Sequence, residues 1–343
     1  MSWTIAGIDE AGYGPMLGPL CVGMSVLRIR DADEAAAPPD LWELLRAGVC
    51  REPGRGGRHD AKGRIAVADS KALKLPNDCK SAHPLIHLER GVLGFARVLW
   101  GEAITSDRDL LRRLIGAEPD AKETVPGLHR CYGGAPAPLP LSLSAGEVGI
   151  AANQLRGALD SAGIGIIDLR LIVVAEGDYN TIIRETGNKA ETTVWALGKH
   201  LRRVWEKHAA GRLGIVCDRL GGRAAYADML ARELPGASIE TIEEGPARSR
   251  YLAAAGQKRA GIAFLTEGEK AHLPVALASM IAKLGRELLM RRFNAYWGER
   301  FRDLNGRDIR PTAGYATDAR RWLDEIGADV LGQVDRAALM RVA

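Results

Sequence analysis

Short, unbroken apolar runs alternate with stretches of helical spacing along the chain, and that alternation predicts an α/β protein. Trp3-Thr4-Ile5-Ala6-Gly7-Ile8 is apolar almost throughout and stops at Asp9-Glu10. Gly12, Gly14, Pro15 and Gly18 punctuate a turn, and Leu20 to Leu27 forms a second apolar run. Runs without polar alternation predict strands buried on both faces. Further strands are predicted at 165–174, 213–217, 237–242 and 262–265. Helical spacing covers 91–102, 110–115, 189–208, 224–233 and 274–293. Ser144-Ala145-Gly146-Glu147 is a capping box that opens a helix to about Asp160. The Gly-, Pro- and Arg-rich stretch 31–63 and the Pro-rich stretch 132–144 read as loops.

With 46% hydrophobic and 26% charged residues in 343, the chain is expected to pack as one large domain or two smaller ones. No apolar run reaches the roughly 18 residues of a spanning helix, and the start, MSWTIAGIDEAG, lacks the basic flank of a signal peptide. The five cysteines are odd in number and scattered, with no Cys-x-x-Cys pair. That argues against a zinc site, a disulfide framework or a disulfide-linked partner, and fits a reducing cytoplasm. The net charge of +4 announces no partner by itself. Between Met280 and Arg321, however, ten Lys/Arg face five acids. Such a stretch suits either a phosphate-facing surface or a solvated helix face of mixed charge.

Asp9-Glu10 is the strongest chemical feature. Adjacent charges have no cheap place inside a doubly buried strand, so they sit where it emerges, the end at which α/β folds collect function. Crowded carboxylates repel unless a hard cation such as Mg²⁺ neutralises them. Adjacent strand residues point to opposite faces, so both reach one ion only if the strand twists or ends there. Asp218 repeats the arrangement after a further strand and precedes Arg219-Leu220-Gly221-Gly222-Arg223, a turn suited to phosphate. Glu287 flanks the buried stripe Leu277, Ile281, Leu284 and Leu288, either as a carboxylate reaching over a sheet edge or as the partner of Lys283. The glycines of Gly12-Tyr13-Gly14-Pro15 are no dinucleotide fingerprint, because a strand rather than a helix follows and Asp9-Glu10 repels phosphate.

Five segments in order then carry a resemblance. Gly7-Ile8-Asp9-Glu10-Ala11-Gly12-Tyr13-Gly14-Pro15 resembles the opening of type 2 ribonucleases H, the ribonuclease HII/HIII family. Asp69-Ser70-Lys71, Val216-Cys217-Asp218, the helix segment Ala278 to Lys283 and Gly314-Tyr315-Ala316-Thr317 are similar to later motifs of that family. The resemblance implies a ribonuclease H-like fold, a mixed five-stranded sheet flanked by helices, in one catalytic domain over 1–320 and a C-terminal helical segment over 321–343. Insertions are expected at about 31–64, 76–164 and 224–260. It further implies an endonuclease using two Mg²⁺ or Mn²⁺ ions on Asp9, Glu10, Asp218 and Glu287 to cut the RNA strand of RNA–DNA hybrids, or DNA containing ribonucleotides. Gly12, Tyr13 and Gly14 are expected to meet the ribose 2′-hydroxyl, Lys71 a phosphate and Tyr315 a sugar, with Arg219 and Arg223 near the substrate. Two departures stand out: Glu287 is a glutamate, as in ribonuclease HIII, and Tyr13 stands where ribonuclease HII has an arginine. The alternatives are a nuclease for another DNA or RNA structure on the same fold, or a non-catalytic nucleic-acid-binding protein.

Overall fold

The computed structural model describes residues 2–30, 39–54, 60–116, 128–332 and 334–342. Parts of two expected insertions, 31–38, 55–59 and 117–127, therefore lie outside the described residues. The predicted opening strands form as β1 (Trp3–Ala11) and β2 (Leu20–Ile29), paired antiparallel. Next come α1 (Leu41–Leu44), the two-residue strands β3 (Val49–Cys50) and β4 (Ile65–Ala66), and α2 (Ser70–Leu73). They are followed by α3 (Ile86–Trp100), α4 (Asp107–Ile115) and α5 (Ala145–Ser161), the last opened by the expected capping box of Ser144 and Glu147. Then follow β5 (Ile164–Val174), α6 (Glu176–Thr186), α7 (Ala190–His208), β6 (Arg212–Asp218) and α8 (Ala227–Glu233). The chain ends through β7 (Ser238–Glu244), β8 (Arg248–Ala255), β9 (Lys258–Leu265), α9 (Gly268–Ala271), α10 (Leu273–Asn305) and α11 (Ala316–Leu331).

The main sheet is mixed, with strand order β5-β2-β1-β6-β9-β8-β7. Its first five members make the expected five-stranded sheet, and an antiparallel β7–β8 hairpin within 224–260 lengthens it to seven. β8 escaped sequence reading because Arg248 and Arg250 stand among its apolar positions, while Ser249, Tyr251 and Ala253 are the buried set. Helices cover both faces of the central strands. Alternate residues of β1 enter different cores: Ile5 joins the side of α3, α5 and α10, whereas Ala6 and Ile8 join the side of α7 and α8. That division is why the run shows no polar alternation.

The backbone of α10 lies directly on the sheet. A Cβ at Gly23, the register partner of Asp9, would fall 2.1 Å from the Ala278 carbonyl oxygen, so only glycine admits the helix there. The helix runs twelve residues beyond the expected Phe293, where Trp297 and Phe301 bury against α11 through Trp322. Much of its basic stretch is spoken for. Arg286 and Arg292 are buried, and Lys283, Arg302, Arg307 and Arg321 pair with carboxylates. The stretch is mainly a mixed, internally paired face. No helix among the described residues is long and apolar enough to cross a membrane.

Candidate metal centre

The parallel ladder between β1 and β6 ends at the pair Ile8–Cys217, although β1 stays paired with β2 as far as Ala11. Asp9, Glu10 and Asp218 are the residues immediately past that last pair. The two strands part at this point, so neighbouring carboxylates that would diverge on a continuous strand face one fork. Their ligand atoms all lie within 4.8 Å of one another. Asp9 is buried; its Oδ1 accepts the Glu10 N–H at 2.7 Å and the Ser279 hydroxyl lies against it. Asp218 Oδ1 accepts the Gly268 N–H at 3.2 Å.

Burial first, then the charges of Glu10 and Asp218, push the Asp9 carboxyl well above the ordinary aspartate range. Glu10 is raised from 4.5 to about 7 by burial and by Asp218, with Lys71 opposing. Burial also raises Asp218. Three crowded oxygen donors that resist ionisation side by side could hold a hard divalent cation.

Glu287, expected as a fourth ligand, is not brought to this cluster. Its Oε1 accepts from Lys283 Nζ at 2.9 Å. It stands eight residues beyond Ser279, which at 1.5 Å per residue carries it roughly 12 Å along the helix axis. Outside that cluster, Glu269 in the first turn of α9 is a carboxylate whose charge acts on it. Burial raises Glu269, with Asp218 adding to the effect, while Glu269 in turn raises Glu10. The missed signal was sheet order: β9 is the parallel neighbour of β6, so an acid just past the end of β9 falls beside Asp218.

The remaining expected residues divide in two. Lys71 is exposed near the cluster, on a turn capped by Asp69 and tied to α10 by the Ser279–Ser70 hydroxyl bond at 3.0 Å. Tyr13 and Tyr315 are 38% and 50% exposed, and Gly14 faces open space. The Gly314 carbonyl accepts from Met16 N–H (2.8 Å) and Leu17 N–H (3.1 Å), which joins the Tyr315 segment to the Gly12–Gly18 turn. Arg219 and Arg223 are directed elsewhere: Arg223 pairs with Glu191, and Arg219 Nε donates to the Arg223 carbonyl at 2.9 Å. Two buried guanidiniums support the turn from behind, a role sequence reading gave to neither. Arg341 donates to the Gly12 carbonyl at 2.7 Å and Arg286 to the Leu17 carbonyl at 3.1 Å. Gly12 adopts φ 90°, and a Cβ there would strike Arg286 Nε at 2.4 Å.

No family model and no curated protein matches the chain. Among solved structures it is similar to the ribonuclease HII–PCNA complex of Archaeoglobus fulgidus, at 16% identity over 98% of this chain and 91% of that one, with a TM-score of 0.39. It is also similar to ribonuclease H2 of Pyrococcus horikoshii, at 15% identity over 98% and 92%, with a TM-score of 0.41. The chain resembles type 2 ribonucleases H. A third structure of this kind, Bst ribonuclease HIII in complex with Mn²⁺, is 12% identical over 99% of this chain and 66% of that one, with a TM-score of 0.37. Overlays this loose transfer no chemistry, which the side chains of this chain have to supply.

Proposed function

We propose that this chain is a divalent-cation-dependent endonuclease that hydrolyses the RNA strand of RNA–DNA hybrids. The observation that carries the reading is the fork of Asp9, Glu10 and Asp218. A binding protein for phosphates gains nothing from three crowded carboxylates, whereas a nuclease uses them to hold Mg²⁺ or Mn²⁺. Asp9, Glu10 and Asp218 would hold the ions, with Glu269 as the fourth carboxylate. The chemistry such ions supply is Lewis-acid polarisation of phosphate and activation of water. Lys71 offers its ammonium to a phosphate at the rim. The Gly12–Gly14 turn, braced by Arg341 and Arg286, presents backbone to a ribose edge, and the exposed ring of Tyr315 offers a stacking face.

The reading separates Glu269 from Glu287. Glu269→Gln is expected to slow cleavage about tenfold or more, equivalent to ~1.4 kcal/mol of barrier, while Glu287→Gln stays within about threefold of the parent. Rate constants at saturating Mg²⁺ check this, and the reverse order would return the fourth ligand to α10.

Protonation links the same site to stability. Glu10 holds its proton more tightly when folded, about 7 against 4.5, so the stability this confers is present below pH 4.5 and lost as pH rises through 7. In EDTA the protein is therefore expected to lose on the order of 3 kcal/mol over that window from Glu10. Mg²⁺ should restore more of the melting temperature at pH 8 than at pH 5. A Mg²⁺ effect equal at both pH values would contradict the assignment.

The function itself is tested with four labelled duplexes: RNA–DNA hybrid, DNA with one embedded ribonucleotide, all-DNA and all-RNA, each in Mg²⁺, Mn²⁺ or EDTA. Metal-dependent cutting of the hybrid is expected. Cutting confined to all-DNA or all-RNA duplex would keep the metal centre and replace the substrate.

A further inference from the structure

Lys189 stands directly before α7, and its Nζ lies 5.3 Å from the centroid of the Tyr13 ring. Among the described residues no carboxylate pairs with it, in contrast to Arg223 nearby, which Glu191 engages. An unpaired ammonium on the face of a half-exposed aromatic ring is held in place without being neutralised, because a cation–π contact leaves the N–H donors free. Tyr13 brings this charge to the rim of the carboxylate fork, at the tip of a turn whose own residues carry none. A small cleft beside it is lined by Glu10, Tyr13, Ala190, Thr193, Leu220 and Gly221. Burial first, then the charge of Arg341, pull the Lys189 ammonium below the usual lysine range.

We propose that Lys189, seated on Tyr13, forms a phosphate-binding arm on the α7 side of the carboxylate fork, gripping a backbone phosphate of the nucleic acid beside the one that is cut. The arm rests on the nuclease reading for the identity of its ligand. Its charge comes from 176 residues away in sequence, from a helix on the face of the sheet opposite the α2 turn of Lys71. The ring orders the lysine before substrate arrives, which lowers the entropy lost on contact.

The test is the salt dependence of binding to a fluorescent RNA–DNA hybrid, measured by anisotropy in an Asp218→Asn background so that the duplex survives. Lys189→Gln should flatten the slope of log K against log [salt] by about 0.9, the signature of one lost phosphate contact, and weaken binding about tenfold near 0.1 M salt. Lys189→Arg should restore the slope. Tyr13→Phe should keep it and Tyr13→Ala should lose it. With Asp218 intact, Lys189→Gln should raise KM and leave kcat within about twofold. An unaltered slope in Lys189→Gln would overturn the arm. A chain that binds with a lysine-dependent slope yet cuts none of the four duplexes would overturn the nuclease reading and keep the arm. A parent with no affinity for any duplex would overturn both.

Discussion

Asp9→Asn is expected to remove at least ~1000-fold of metal-dependent cleavage, about 4 kcal/mol of barrier, while raising the melting temperature of the metal-free protein. The two effects have one cause. Asp9 is buried and lies with Glu10 and Asp218 within 4.8 Å, so its charge is unfavourable until a cation arrives. Asparagine keeps the shape and still offers an oxygen to the Glu10 N–H, but it removes the charge from the ligand set and from the repulsion. Each kcal/mol of relief is worth about 1–2 °C for a chain of 343 residues. Differential scanning in EDTA and in Mg²⁺ separates the terms: the variant should melt higher than the parent in EDTA and gain less from Mg²⁺. A variant that melts lower in EDTA would make Asp9 a structural hydrogen-bond acceptor.

Arg292→Met is expected to destabilise the fold by about 3–5 kcal/mol without altering the rate per folded molecule. Arg292 of α10 donates to Asp107 through Nε at 2.8 Å and Nη2 at 2.7 Å, and through Nη1 to the Gly133 carbonyl at 2.8 Å. The side chains are 5% and 1% exposed. Asp107 also accepts the Ala137 N–H at 2.8 Å, so the pair fastens α10 to the second insertion through α4 and the loop after it. Removing the cation strands a buried carboxylate. Replacing both partners, Arg292→Met with Asp107→Leu, should recover most of the loss. Urea unfolding of the two single variants and the double variant reads the coupling directly. Near-parent stability in Arg292→Met would mean that water reaches Asp107.

The part of the site legible in the sequence was the part made by strand ends. Asp9, Glu10 and Asp218 each follow an apolar run, and a charge there has to leave the core. What β-periodicity omits is which strands are neighbours. Glu269, the fourth carboxylate we propose, comes near Asp218 because β9 lies beside β6, a pairing that no spacing between residues 218 and 269 announces. Glu287 shows the complementary error. Its helical phase correctly set it beside the buried stripe, but phase says nothing of axial distance, and two turns separate it from Asp9. The helices expected at 91–102 and from Ser144 to about Asp160 form as α3 and α5 and bury one face of the sheet, whereas β8, with arginines among its apolar positions, was not legible. Arg341 and Lys189 were illegible for a related reason. One reaches the Gly12 turn from the tail and the other from the start of α7, and only the folded chain brings them to residues 12 and 13.

We infer that the fork of Asp9, Glu10 and Asp218 binds the catalytic cation. The most direct test is calorimetric titration of Mn²⁺ at pH 8 into the parent, Asp9→Asn and Glu287→Gln. Saturable binding by the parent and by Glu287→Gln, lost in Asp9→Asn, is the predicted result. Equal binding by Asp9→Asn and the parent, or no binding by the parent, would contradict the account.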